Sequence, residues 1–206
     1  MFLSVADYKA SIYYDDKQSF TDGQLEDALS FAIDTFYSRT NRHEMGYWLE
    51  PRELTLLLST TGLPLLLCPY PVLELVSVSV DGTDVTDEVI AYGHFLLRNG
   101  STWGEVPDAV DEAEYSTVSL TAKFGDPSPK IVRGEDLSPT VPGDVKHCIF
   151  RMAMHSLKRH GITQHIHSTR DNVSREVRVA VARDPDIQTV LTDWTVTEIS
   201  RAFDFR

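Results

Sequence analysis

Between Leu25 and Tyr37 apolar residues return at steps of three and four, and after Gly46 the step falls to two. That change of period constrains the chain more than any other feature, because the first spacing buries one face of a helix and the second one face of a strand. Leu25, Ala28, Leu29, Ala32, Ile33, Phe36 and Tyr37 form one stripe, with Gln24, Glu26, Asp27, Ser30, Asp34 and Ser38 opposite. Acidic Asp22, Glu26 and Asp27 lie near its start and Arg39, Arg42 and His43 near its end, as the helix dipole favours. A helix over 22–42 is expected. A shorter one over 4–13 precedes it, with Ser4 placed to cap the first turn.

The two-residue period then sets the middle of the chain. Arg52 to Thr60, the turn signal Thr61-Gly62, and Leu63 to Cys68 read as a hairpin, and Pro69-Tyr70-Pro71 should end its second strand. Val72 to Val80 reads as a further strand turned by Asp81-Gly82, followed by short strands around Val85, Ile90 to Leu97, and Tyr115 to Phe124. The region 52–124 is thus expected to be a small antiparallel sheet or barrel. Gly125 to Gly143, with Pro127, Pro129, Pro139 and Pro142, reads as a loop. Pro142 can open a helix over 142–160, with Val145, Cys148, Ile149, Met152, Ala153 and Leu157 inward and Gly161 as its stop. The fold class is α+β: long amphipathic helices bracketing a small antiparallel β-sheet or barrel-like insertion. Residues 1–161 form the expected core and 162–206 an extended C-terminal arm, in which Asp184-Pro185-Asp186 starts a short helix near 186–192.

Composition narrows the function. The 206 residues hold 19 Lys and Arg against 31 Asp and Glu, a net charge of −12, so the surface as a whole repels a phosphate backbone. The longest apolar run, Leu63 to Val80, is interrupted by Pro64, Pro69, Pro71 and Glu74, too broken to span a bilayer. The N-terminal residues lack the pattern of a signal peptide, and an intracellular, soluble protein is expected. Cys68 and Cys148 sit in apolar surroundings without CxxC spacing and read as reduced core residues.

No catalytic pattern emerges. His147, His155, His160, His165 and His167 cluster, but no HExxH accompanies them and polar-face histidines account for them better than a zinc site. Neither GxSxG, a phosphate-cradling glycine loop nor a cysteine set for activation is present, so no catalytic, cofactor-binding or metal-ligating residue is assigned. Two groups stand out instead. Lys146, Arg151, Lys158 and Arg159 share one helix, either complementing its dipole and solvating it or forming a basic stripe toward a subunit interface or a lumen. Trp194, Ile199, Phe203 and Phe205 lie in an otherwise polar tail, where they either pack back or anchor a partner. On the second reading, residues 186–206 could be removed without unfolding the core.

The order of features carries a resemblance. A short helix, a long acidic-to-basic helix and a strand pair are followed by Leu65-Leu66-Leu67-Cys68-Pro69-Tyr70-Pro71-Val72, which leads into Val76-Ser77-Val78-Ser79-Val80-Asp81-Gly82. Then come Tyr92, Leu96-Leu97-Arg98-Asn99-Gly100, Trp103, Leu120 to Gly125, and the proline-started helix Pro142 to Gly161. Over roughly residues 1–161 this resembles the head-tail connector (adaptor) proteins of long-tailed double-stranded DNA viruses. The proline-rich stretch Pro127 to Val141 and the tail beyond Gly161 depart from that pattern. The resemblance implies a non-enzymatic virion protein of the neck: a ring of about a dozen copies, joining the portal protein to tail-side stopper, head-completion or tail proteins, with double-stranded DNA passing through its centre. It implies no cofactor and no membrane partner. The other readings are a protein-binding adaptor outside any virion and a small metal-dependent hydrolase.

Overall fold

A computed structural model describes residues 2–15, 20–60, 62–104, 116–163 (side chains only to 158) and 180–197. Along the chain run α1 (Val5–Lys9), α2 (Asp22–Arg39), β1 (Arg52–Thr60), β2 (Leu65–Val80), β3 (Thr83–Asp84), a 3-10 turn at Thr86–Glu88, β4 (Val89–Arg98), β5 (Ser116–Phe124), β6 (Val132–Arg133), β7 (Pro139–Thr140), α3 (Gly143–Thr163) and α4 (Pro185–Asp193). They divide into a helical unit, Met1–Arg42 with Val141–Val196, and a sheet unit built on His43–Thr140.

In the helical unit, α1 is shorter than expected but begins as its sequence dictates. Ser4 and Asp7 form a reciprocal capping box, and Asp7 is held below the usual carboxylate range by its hydrogen bonds with Ser4. The helix α2 opens on a second box, Thr21 with Gln24, and buries Leu25, Ala28, Leu29, Ala32, Ile33, Phe36 and Tyr37, the stripe read from the sequence. It ends at Arg39 rather than 42, because Asn41 turns left-handed (φ 56°) and the Thr40 hydroxyl donates to the Phe36 carbonyl at 2.7 Å. Against α2 packs α3, which buries Val145, Ile149, Met152 and Ala153 and runs past Gly161, so that glycine is not its stop. The last helix, α4, packs on α3, with Asp184 as its cap and Pro185 in its first turn.

The sheet unit is an antiparallel sheet in the order β1-β5-β2-β3, with β4 also paired to β2. It is open, not a closed barrel: β1 has β5 as its neighbour on one side and none on the other among the described residues. The expected hairpin of Arg52–Thr60 with Leu63–Cys68 does not form. Instead β1 pairs along its whole length with β5, from Arg52↔Phe124 to Thr60↔Ser116, setting Leu54, Leu56 and Leu58 opposite Ala122, Leu120 and Val118 on the core face. Burial of that shared apolar row outweighs the local turn signal. Nor does Pro69-Tyr70-Pro71 end a strand. The 16-residue β2 continues through it with shifts of register, pairing Leu65–Leu67 with β4 before the prolines and Glu74–Val80 with β5 after them. Asp81-Gly82, both left-handed, make the two-residue turn into β3 that the sequence announces. The expected loop after Gly125 contains the small hairpin β6–β7.

Candidate functional site

The basic helix residues are drawn into ion pairs of their own unit. Arg151 donates through Nε to Asp184 at 2.7 Å and through Nη1 to Asp186 at 2.6 Å, while His155 Nε2 lies 3.0 Å from the same Asp184 oxygen. These contacts join the middle of α3 to the start of α4. Lys146 stands 3.5 Å from Asp7 and over the Phe150 ring. Lys158 is exposed, and the side chain of Arg159 lies outside the described residues. The stripe's charge is therefore partly met at home, leaving a mixed surface.

The aromatic residues of the tail divide. Trp194, expected as an anchor for a partner, is 3% exposed and packs on its own unit. Its indole Nε1 donates to Asp144 at 2.8 Å, and Arg42 both stacks over the ring and donates from Nε to the Trp194 carbonyl. Val196 then donates its backbone N–H to Thr40 at 2.9 Å. With Ile187 and Leu191 also buried, residues 180–196 belong to the helical unit. Ile199, Phe203 and Phe205 lie outside the described residues.

The sheet unit has a side of another kind. Leu65 and Leu67 of β2 and Leu97 of β4 are exposed, with Leu63 beside them, while Leu66 and Leu96 on the opposite face are buried. Ile90 and Tyr92 of β4 are exposed too, at the sequence parity of buried Leu96 rather than of Leu97, and are not counted in this row. Such a row of large apolar side chains on one side of a sheet is a feature of surfaces that meet other surfaces. Sequence reasoning did not single it out, because a leucine run looks the same whether its odd or even members face the core.

Two further contacts were missed. Arg133 donates to the carbonyls of Leu49 (3.0 Å) and Asp126 (2.7 Å), fastening the β6–β7 hairpin to the segment before β1. Trp48 packs against Tyr70 and under Arg52. The Tyr47-Trp48-Leu49 triplet after Gly46 was the available signal.

Burial pushes the Cys148 thiol up to about 12 and that of Cys68 to about 11, so both remain protonated and poorly nucleophilic near neutrality. Among the described residues no three His, Cys, Asp or Glu side chains group to hold a metal ion, and no helix is long and apolar enough to cross a membrane. His147 stacks on Tyr13 and His94 bonds Tyr47; His165 and His167 lie outside the described residues.

No family model and no curated protein matches the chain. A solved structure of the neck of an empty GTA particle, computed with C6 symmetry, is similar at 16% identity and a TM-score of 0.49, covering 95% of this chain and 90% of that one.

Proposed function

We propose that this chain is a structural protein of a virion neck, a head-to-tail adaptor whose copies form a ring between the portal and the tail-side neck proteins. The resemblance in element order supports the choice of assembly. The observation that carries an assembling role is the exposed row Leu63, Leu65, Leu67 and Leu97, which a solitary soluble protein has reason to cover. Charge supports the passive part of the role. A net −12 chain, with Arg151 and Lys146 engaged by carboxylates of their own unit, offers passing DNA a surface that does not grip it. The adaptor works by shape and contact and performs no bond-making step.

Immunogold labelling and cryo-EM of purified particles test this reading. Density for the chain between capsid and tail is the expected result, with co-purification of the portal protein. Absence from particles, with a partner found elsewhere in the cell, overturns it in favour of an adaptor outside the virion.

A further inference from the structure

The outer edge of β1 has the character of a strand acceptor. Across the sheet, Val118, Leu120 and Ala122 of β5 are fully buried, whereas their β1 partners Leu54, Leu56 and Leu58 are only half-buried. The core face is thus fully covered along β5 and only partly along β1. Among the described residues nothing pairs with that edge. It runs for nine residues in unbroken register, with neither proline, lysine nor bulge, and its charges are confined to Arg52 and Glu53 at one end. Natural edges of this length are usually blunted by such devices. Leu57, on the other face, is 74% exposed.

The chain also carries a segment of matching pattern. In residues 198–206, Ile199, Phe203 and Phe205 share one parity and Glu198, Ser200, Ala202, Asp204 and Arg206 the other. Extended, they span about 30 Å, enough to run the length of β1. Arg201 shares the apolar parity, and its aliphatic stem can lie along the face with the guanidinium at the rim. The segment starts from a fixed point, since Trp194 and Val196 are fastened to Arg42 and Thr40.

We infer that residues 198–206 of a second copy add to the outer edge of β1 as a further strand, with Ile199, Phe203 and Phe205 on the face that carries Leu54, Leu56 and Leu58 and Arg201 between them. Backbone hydrogen bonds supply the pairing and the alternate side chains its register. Each copy then offers one donor segment and one acceptor edge, two different surfaces, as a heterologous contact that closes a ring requires. The inference rests on the ring proposed above.

Disulfide trapping on the full chain tests it. Leu57→Cys is mixed with Ser200→Cys, Ala202→Cys or Asp204→Cys, each in a separate polypeptide, so that a link can form only between copies. The expected result is a band of doubled mass at one tail position, lost when Ile199, Phe203 and Phe205 are all changed to Ser within the same tail. No link at any of the three positions overturns strand addition. In chains carrying both cysteines, links formed within single chains and none between copies assign the edge to the chain's own tail and overturn exchange. Neck labelling is read separately, so a neck protein without these links leaves the adaptor reading standing and removes this one.

Discussion

The guanidinium of Arg42 lies 4.9 Å over the indole of Trp194, and its Nε donates to the carbonyl of that same residue at 3.0 Å. One side chain thereby holds both the ring and the backbone of a residue 152 positions away. The contact joins the segment after α2 to the segment after α4, so the C-terminal residues up to Val196 brace the helical unit.

Trp194→Ala should therefore destabilise the helical unit by about 3–5 kcal/mol, since it empties a buried aromatic site and strips partners from Arg42 and Asp144. Removing 186–206 should unfold that unit, whereas removing only 198–206 should leave its melting unchanged. Thermal melts followed by circular dichroism distinguish the two truncations.

Acid should loosen α4 from α3. Burial alone would raise the pKa of Asp184, yet hydrogen bonds from His155 and Arg151 and from the Ile187 amide hold it below its ordinary 3.8. The unfolded carboxylate thus takes up its proton at higher pH than the folded one. The stabilisation is fully present above about pH 5 and declines as pH falls through the depressed value. Asp184→Asn should flatten this acid limb, and Asp184→Ala should also lose the cap, costing about 2–4 kcal/mol at neutral pH. Melting temperature against pH for the three proteins is the measurement.

Cys68 and Cys148 should resist thiol reagents while the protein is folded. Both are free and buried, with thiols raised by that burial to about 11 and about 12. Titration with a chromogenic disulfide is expected to detect neither in the native protein and both in denaturant; rapid reaction of either in the native state would contradict their placement in the core.

Gly46→Ala should weaken the sheet unit by more than about 2 kcal/mol. The residue sits at φ 71°, and a Cβ there would come 2.5 Å from Cδ1 of Tyr70. Denaturant unfolding monitored by tryptophan fluorescence, with Trp48 packed against Tyr70, reports on this region directly.

The helices were more legible in the sequence than the sheet, and the reason is physical. The seven-residue stripe from Leu25 to Tyr37 and the signals at Ser4, Thr21 and Asp184 act within a few residues of one another. Pairing of β1 with β5 joins residues on opposite sides of a long intervening chain, and no local rule distinguishes it from the hairpin expected with Leu63–Cys68. The same limit hid the burial of Trp194: its partners Arg42 and Asp144 are distant in sequence, so composition could describe the tail as polar but not reveal the socket that receives its tryptophan. The exposed leucines were invisible for a third reason, since alternation in an unbroken apolar run has no polar phase to mark which parity faces outward.

Val72 pairs with Gly93 of β4 on one side and with Phe124 of β5 on the other, immediately after the register shift that spans Pro69 and Pro71. Mechanical load entering through β4 consequently reaches the rest of the sheet through a short stretch of backbone. Under such load that stretch is expected to yield first, peeling β4 away while the ladder of β1 and β5 still holds.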